Sequence, residues 1–108
     1  MKTSSIQLTI QLDDQNVPEK ILWDATDKPE GAPSETSAIG LAIWDSKDLN
    51  TLRIDLWTKD MQVDHMKRFY IECINGLSQS VLRATGDEKM AAEMNALCES
   101  LVKYVEKN

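Results

Sequence analysis

His65, Cys73 and Cys98 are the residues on which metal or nucleophilic chemistry would have to be built, since the chain holds one histidine and two cysteines. A zinc site at His65 is not expected, because no cysteine or carboxylate stands at ligand spacing around it. Nor does a Gly-x-Ser-x-Gly turn supply a nucleophile for which it could act as base. Its place is the exposed flank of a helix's opening turn. Cys73 and Cys98 fall at helical spacing among apolar residues and read as two reduced thiols packed as small hydrophobes. There is no Cys-x-x-Cys. The glycines at 31, 40, 76 and 86 never cluster, so neither a phosphate-cradling loop nor a dinucleotide fingerprint can be written. Asp24, Thr26 and Asp27 with Glu30 and Gly31 resemble a calcium loop only loosely, because Lys28 takes the third ligand position. Ten acids and five bases are scattered over residues 1–58, with no two carboxylates set apart for acid–base work. The expectation is a protein that is not an enzyme and binds neither metal nor cofactor.

Another kind of constellation stands above this background. Trp44, Arg53, Asp55 and Trp57 share one face of two adjacent segments, and Trp and Arg are the residue types enriched at the centres of protein interfaces. These four residues are the candidate partner-binding site. Two other arrangements fit the same spacing: the loop Thr26–Pro33 folds over this face, or the two tryptophans sit at the sheet's ends against helix termini.

The elements that must position them follow from periodicity. Up to about residue 60, apolar residues recur every second position; beyond it they recur at helical spacing. Four strands are predicted, over about 5–12, 20–26, 38–44 and 51–58, each with one apolar and one mixed face. The apolar sets are Ile6, Leu8, Ile10 and Leu12; Ile21, Trp23 and Ala25; Ile39, Leu41 and Ile43; and Leu52, Ile54 and Leu56. Asp13–Glu19 and Asp45–Asn50 have the length and polarity of hairpin loops. Pairing Ile43 with Leu52 aligns every apolar residue of the second hairpin, and it sets Arg53 opposite Ala42 and Asp55 opposite Gly40. The Pro- and Gly-containing link Asp27–Ser37 is the longest irregular segment and is expected to be the most mobile.

Beyond residue 60, Val63, Met66, Tyr70, Cys73, Leu77, Val81 and Ala84 form one stripe of a helix over about 62–84, with Asp60 or Asp64 as its cap. Gly86 interrupts, and Thr85-Gly-Asp-Glu88 has capping-box spacing for a second helix over about 87–106. That helix carries Met90, Met94, Leu97, Cys98, Leu101, Val102 and Val105. A continuous helix through Gly86 would cost only about 1 kcal/mol. The economical assembly is a single α+β domain, 1–108: a four-stranded antiparallel sheet of two hairpins with both helices packed on one face. Burial of Leu8, Ile10, Leu41, Ile43, Ile54 and Leu56 is the expectation that tests it.

Charge and hydropathy narrow the partners. Twelve basic residues against eighteen acidic ones leave −6, which opposes binding nucleic acid by phosphate neutralisation. No polybasic segment, no 18-residue apolar run and no continuous apolar stretch near the N-terminus is present, so neither membrane docking, membrane insertion nor a signal peptide is expected. The predicted location is cytoplasmic. A sheet with an uncovered face and two free edges commonly resolves them by pairing with a copy of itself, so a homodimer is expected.

The stretch Thr51-Leu-Arg-Ile-Asp-Leu-Trp-Thr-Lys-Asp-Met61, followed by Val63-Asp64-His65-Met66-Lys67, resembles the gliding motility-associated GldC family of Bacteroidetes. So do Val17-Pro18-Glu19-Lys20-Ile21 with Trp23, Ala25 and Asp27, the pair Trp44-Asp45, and Ala84-Thr-Gly-Asp-Glu-Lys-Met90. The likeness runs from about Ile6 into the last helix. It departs at Gln62, where the family has proline, and in the loop 28–36. The resemblance implies a small protein associated with the machinery that moves cells over surfaces, itself linked to type IX secretion. It implies no enzymatic activity and no mapped site. The function expected is that of an accessory or adaptor protein acting through protein–protein contacts. A chaperone-like or ligand-binding α+β module with an indirect link to gliding is the alternative.

Overall fold

The computed structural model describes residues 1–107 and places them in two compact units, Met1–Met61 and a second that begins at Gln62. The first holds all the strands, the second both helices, so the class is α+β as expected.

In the first unit, β1 (Ile6–Leu12) and β2 (Pro18–Ala25) form an antiparallel hairpin in which Ile6, Leu8 and Ile10 face Ala25, Trp23 and Ile21. The alternating apolar residues of both strands therefore share one side, and Ile21 at its centre is fully buried. The turn between them is held by Asp13, whose carboxylate accepts from the Gln15 and Val17 N–H groups at 2.8 and 3.0 Å. Asn16 closes it in the left-handed region, which asparagine tolerates.

The sheet expected as one four-stranded unit is instead two: a three-stranded sheet in the order β1-β2-β3, and a two-stranded ribbon. The cause lies in the Pro/Gly link. Its last residues form β3 (Glu35–Thr36), which pairs with Ile21 and Leu22 and takes the free edge of β2. The chain then bends at Ser37 and continues as β4 (Ala38–Asp45), which pairs with β5 (Asn50–Trp57). One extended segment thus leaves one sheet and enters the other at a bend. The rest of the link is tied down as well. The Trp23 N–H donates to the Ser34 carbonyl at 2.8 Å, and the Lys28 ammonium lies 4.5 Å from the centre of the Trp23 ring while donating to Ser34 Oγ. The loop therefore folds onto Trp23.

The ribbon has the expected register, from Ala38 opposite Trp57 to Asp45 opposite Asn50. Asp45 accepts from the Lys47 and Asp48 N–H groups to shape the turn, and Leu49 completes it at φ 55°. Leu8, Ile10, Leu41 and Leu56 are half-buried, but Ile43 and Ile54 are 52% and 51% exposed. Ile43 lies in the half of the ribbon nearest the turn and Ile54 at mid-strand opposite Leu41, and cross-strand neighbours are the only cover that a two-stranded ribbon itself supplies there.

In the second unit, α1 (Val63–Thr85) and α2 (Glu88–Glu106) form a helical hairpin. Gln62, without a side-chain bond, is the N-cap of α1; Asp64 contributes only its charge to the first turn, and Asp60 accepts from the Thr58 hydroxyl instead. The break at Gly86 is real. Gly86 ends α1 at φ 74°, and Asp87, rather than Thr85, caps α2 by accepting from the Met90 N–H at 2.9 Å. The Thr85 hydroxyl is committed to the Val81 carbonyl at 2.7 Å.

The seam between the helices shares only Val81 with the stripe read from α1. Ile71, Ile74, Ser78 and Val81 form it, against Ala91, Met94, Cys98, Leu101 and Val105 of α2. Ser78 is 1% exposed, and its Oγ lies 3.0 Å from the Ala91 carbonyl and 2.8 Å from the Asn95 side-chain amide. The small residues Ser78 and Ala91 let the backbones approach. Cys98 is buried and lies 3.8 Å from the Ile71 carbonyl, whereas Cys73 is exposed, which corrects its expected place in the core.

Two glycines give a matched test. An added Cβ meets nothing within 4 Å at either Gly76 or Gly86. Gly76→Ala, inside α1, should stabilise the protein by about 0.5–1 kcal/mol. Gly86→Ala should destabilise it by about 1 kcal/mol, because alanine disfavours the left-handed region. Thermal denaturation that shifts both variants in the same direction would contradict the helix break.

Candidate partner-binding site

Alternation sends Ala38, Gly40, Ala42 and Trp44 of β4 and Thr51, Arg53, Asp55 and Trp57 of β5 to one side of the ribbon. All four predicted site residues therefore share a face. They do not form one cluster. Trp44 stands opposite Thr51 and Trp57 opposite Ala38, so the two indoles lie at opposite ends, roughly 20 Å apart at the strand rise. They are 59% and 47% exposed.

Between them Arg53 and Asp55 form a two-pronged ion pair. Arg53 Nε donates to Asp55 Oδ2 at 3.1 Å and Nη2 to Oδ1 at 2.6 Å. Residues two apart on a strand sit side by side on one face, which is why the fork closes. The guanidinium holds the Asp55 carboxyl below its usual value. Arg53 is thus held flat along the strand toward Trp57, with Gly40 and Ala42 leaving the neighbouring strand low.

Trp57 lines a concavity of about 280 Å³ with Val17, Pro18, Asp55, Leu56 and Lys59. The start of β2 forms one wall and the exit of β5 the other. Lys59 ties them together: its ammonium reaches Asp13 Oδ2 at 3.1 Å and Glu19 Oε1 at 3.7 Å. Thr58, 3% exposed, completes the exit, its N–H donating to the Ser37 carbonyl at 2.9 Å and its hydroxyl to Asp60 at 2.7 Å. The Asp13 carboxyl is held below its ordinary value by the Val17 N–H, the Lys59 ammonium and the Gln15 N–H. The Asp13 carboxylate, then Glu19, raises Lys59. The sequence reading missed Lys59, Asp13, Val17 and Pro18 as parts of this site. The only signal was Val17-Pro18-Glu19 within the family resemblance, and nothing in spacing joins residue 13 to residue 59.

A larger groove, about 470 Å³, lies on the helical hairpin. Its floor is Ile71, Val102 and Val105, and charges of both signs rim it, among them Arg68 bonded to Glu72 at 2.8 Å. Among the described residues no three His, Cys, Asp or Glu side chains are placed to share a metal ion, and no helix is long and apolar enough to cross a membrane.

A small α+β protein with an aromatic and ion-paired sheet face is a class with many functions, and the sequence profile narrows it. Residues 18–107 match the family described as gliding motility-associated protein GldC-like, and the chain belongs to that family. Neither the curated proteins nor the solved structures compared with the chain gave a significant match.

The clamp at Asp13 makes a pH prediction. Folding lowers the Asp13 pKa, so its contribution is present above the unfolded value near 3.8 and is lost as pH falls through the lower folded value. Asp13→Asn should therefore melt at a lower temperature than the wild type at neutral pH, with the gap closing below pH 3.8. A gap unchanged between pH 7 and pH 3 would show that the carboxylate charge does not matter. For Lys59, whose pKa folding raises, the contribution is full below 10.5 and is lost above it.

Proposed function

We propose that this member of a gliding motility-associated family is an accessory or adaptor protein that works by protein–protein contact through the mixed face of β4 and β5. The observation that carries the reading is the concavity beside Trp57. A half-exposed indole borders a depression walled by Val17, Pro18 and Leu56, with Lys59 and the Arg53–Asp55 fork at its polar edge. An aromatic anchor beside a small apolar hollow, surrounded by groups that already satisfy one another, is the arrangement of an interface centre with a polar rim. Ion pairs closed within the chain also leave no unmet charge to be buried when a partner docks. Trp44, at the other end of the ribbon, extends the contact without belonging to its centre. The partner is another protein of the gliding machinery, and the contact requires neither nucleic acid nor membrane insertion. The setting proposed is the cytoplasm, on the inner side of a type IX secretion-linked apparatus.

The test replaces the chromosomal gene with a Trp57→Ala version in a gliding bacterium and follows two readouts: recovery of the copurifying partner and spreading over a surface. Removing such an anchor costs about 2 kcal/mol of binding, roughly thirty-fold. Partner recovery and spreading should both fall while the melting temperature stays near that of the wild type. Partner recovery equal to wild type, or a large loss of stability, would assign Trp57 to another role.

A further inference from the structure

Every strand lies in the first unit, yet among the described residues none takes the outer edge of β1, which ends the order β1-β2-β3. The phase of the ladder shows which groups stand at that edge. The Thr26 N–H donates to the Ser5 carbonyl at 2.9 Å, whereas the Trp23 N–H donates away from β1, to the Ser34 carbonyl. Residues of an antiparallel pair bond their partner strand at alternate positions. Gln7, Thr9 and Gln11 therefore turn their backbone groups to β2, and Ile6, Leu8 and Ile10 turn theirs outward. An α-helix closes its backbone bonds within itself, so α1 and α2 have no ladder to offer these groups. Only another extended segment has one.

Strand edges are ordinarily guarded by a charge, a proline or a distortion. Of the five strands, β1 alone holds no charged residue, glycine or proline, and its one irregularity falls at its end, between Gln11 and Leu12. We propose that this edge is a self-pairing site, at which β1 lies antiparallel to β1 of a second copy and joins the two three-stranded sheets. The strand's own sequence selects that occupant. Bonds form only where outward residues meet outward residues, which puts the two-fold axis at a residue rather than between two. The centre that pairs the whole of Ile6–Leu12 is Thr9. About it the strand has the same character in both directions: Leu8 meets Ile10, Gln7 meets Gln11 and Thr9 meets its own copy. Apolar side chains thus lie beside apolar ones and amides beside amides, the pairs that stabilise neighbouring strands. A two-fold contact uses the same edge of both chains, so pairing at this site stops at two copies. β1 contributes no residue to the hollow beside Trp57, and the dimer carries that hollow twice.

The test is sedimentation velocity of the full chain over a concentration series. The wild type should reach twice its 12.2 kDa mass at high micromolar concentration. Gln7 and Gln11 are exposed, opposite Asp24 and Lys20 of β2. Gln7→Lys/Gln11→Lys sets like charges against each other on both sides of Thr9 and should raise the dissociation constant about ten-fold. Gln7→Lys/Gln11→Glu sets lysine against glutamate and should restore the dimer, with the circular dichroism spectrum unchanged in both variants. Should the double lysine unfold, Thr9→Lys brings like charges together at the exposed centre, with the same expected direction. Thr51→Lys, on the β4–β5 ribbon, should leave the dimer intact. A wild type that stays at its chain mass throughout overturns the proposal, as do species that keep growing with concentration. So do equal dissociation constants for the like-charge and opposite-charge variants, or a dimer lost in Thr51→Lys.

Discussion

A strand edge can be used once, and that constraint organises the strand-bearing half of this protein. Glu35 and Thr36 occupy the open edge of β2 at Ile21 and Leu22, so the chain that follows cannot pair with β2 there. It bends at Ser37 and must find its partner in the segment still to come, β5. The ribbon thereby gains two faces of its own. Its exit, bonded back to the bend through the Thr58 N–H and the Ser37 carbonyl, brings Lys59 to Asp13 and Glu19. The hollow beside Trp57 is a consequence of that closure. A four-stranded sheet would have spent the same residues on a continuous surface.

The electrostatics of the site are local and self-contained. Arg53 with Asp55, and Lys59 with Asp13, are charges paired within the chain; Arg53 and Lys59 are exposed, where the ion pair itself contributes little to stability, and Asp13 is also held by the turn's backbone N–H groups. Their role here is geometric. One pair lays a guanidinium along β5 against Asp55, and the other ties two chain segments together. This is consistent with a surface that recognises shape and apolar contact, with charge setting its border, in a protein whose overall balance is acidic.

What the sequence disclosed and what it concealed divide along physical lines. The β4–β5 register was legible because three apolar residues on each strand can be matched in only one way. The break between the helices was legible because glycine adopts the left-handed backbone that ends a helix. The split of the sheet was not. β3 is two residues long, and its pairing rests on backbone bonds that Glu35 and Thr36 do not advertise. In α1 the apolar arc is wide enough for two stripes. Periodicity chose the one containing Tyr70 and Leu77, while the hairpin buries the one containing Ile74 and a serine. Ser78 reads as polar in sequence, yet its small size is what the close approach to Ala91 requires. Of the site, the four residues on the mixed face were found because they alternate, and Lys59 and Asp13 were missed because only the tertiary fold joins them.

The central claim is that the face carrying Trp57 meets another protein, and it can be tested without disturbing that side chain. Ala42 is exposed on the same face, opposite Arg53, and Thr9 is exposed on the polar side of the three-stranded sheet. A photo-reactive amino acid placed at each position in turn, in gliding cells, reports what lies against each surface. The account predicts a discrete crosslink to another protein of the gliding machinery from position 42 and to no other protein from position 9. No adduct from position 42, or the same adduct from both positions, would contradict it.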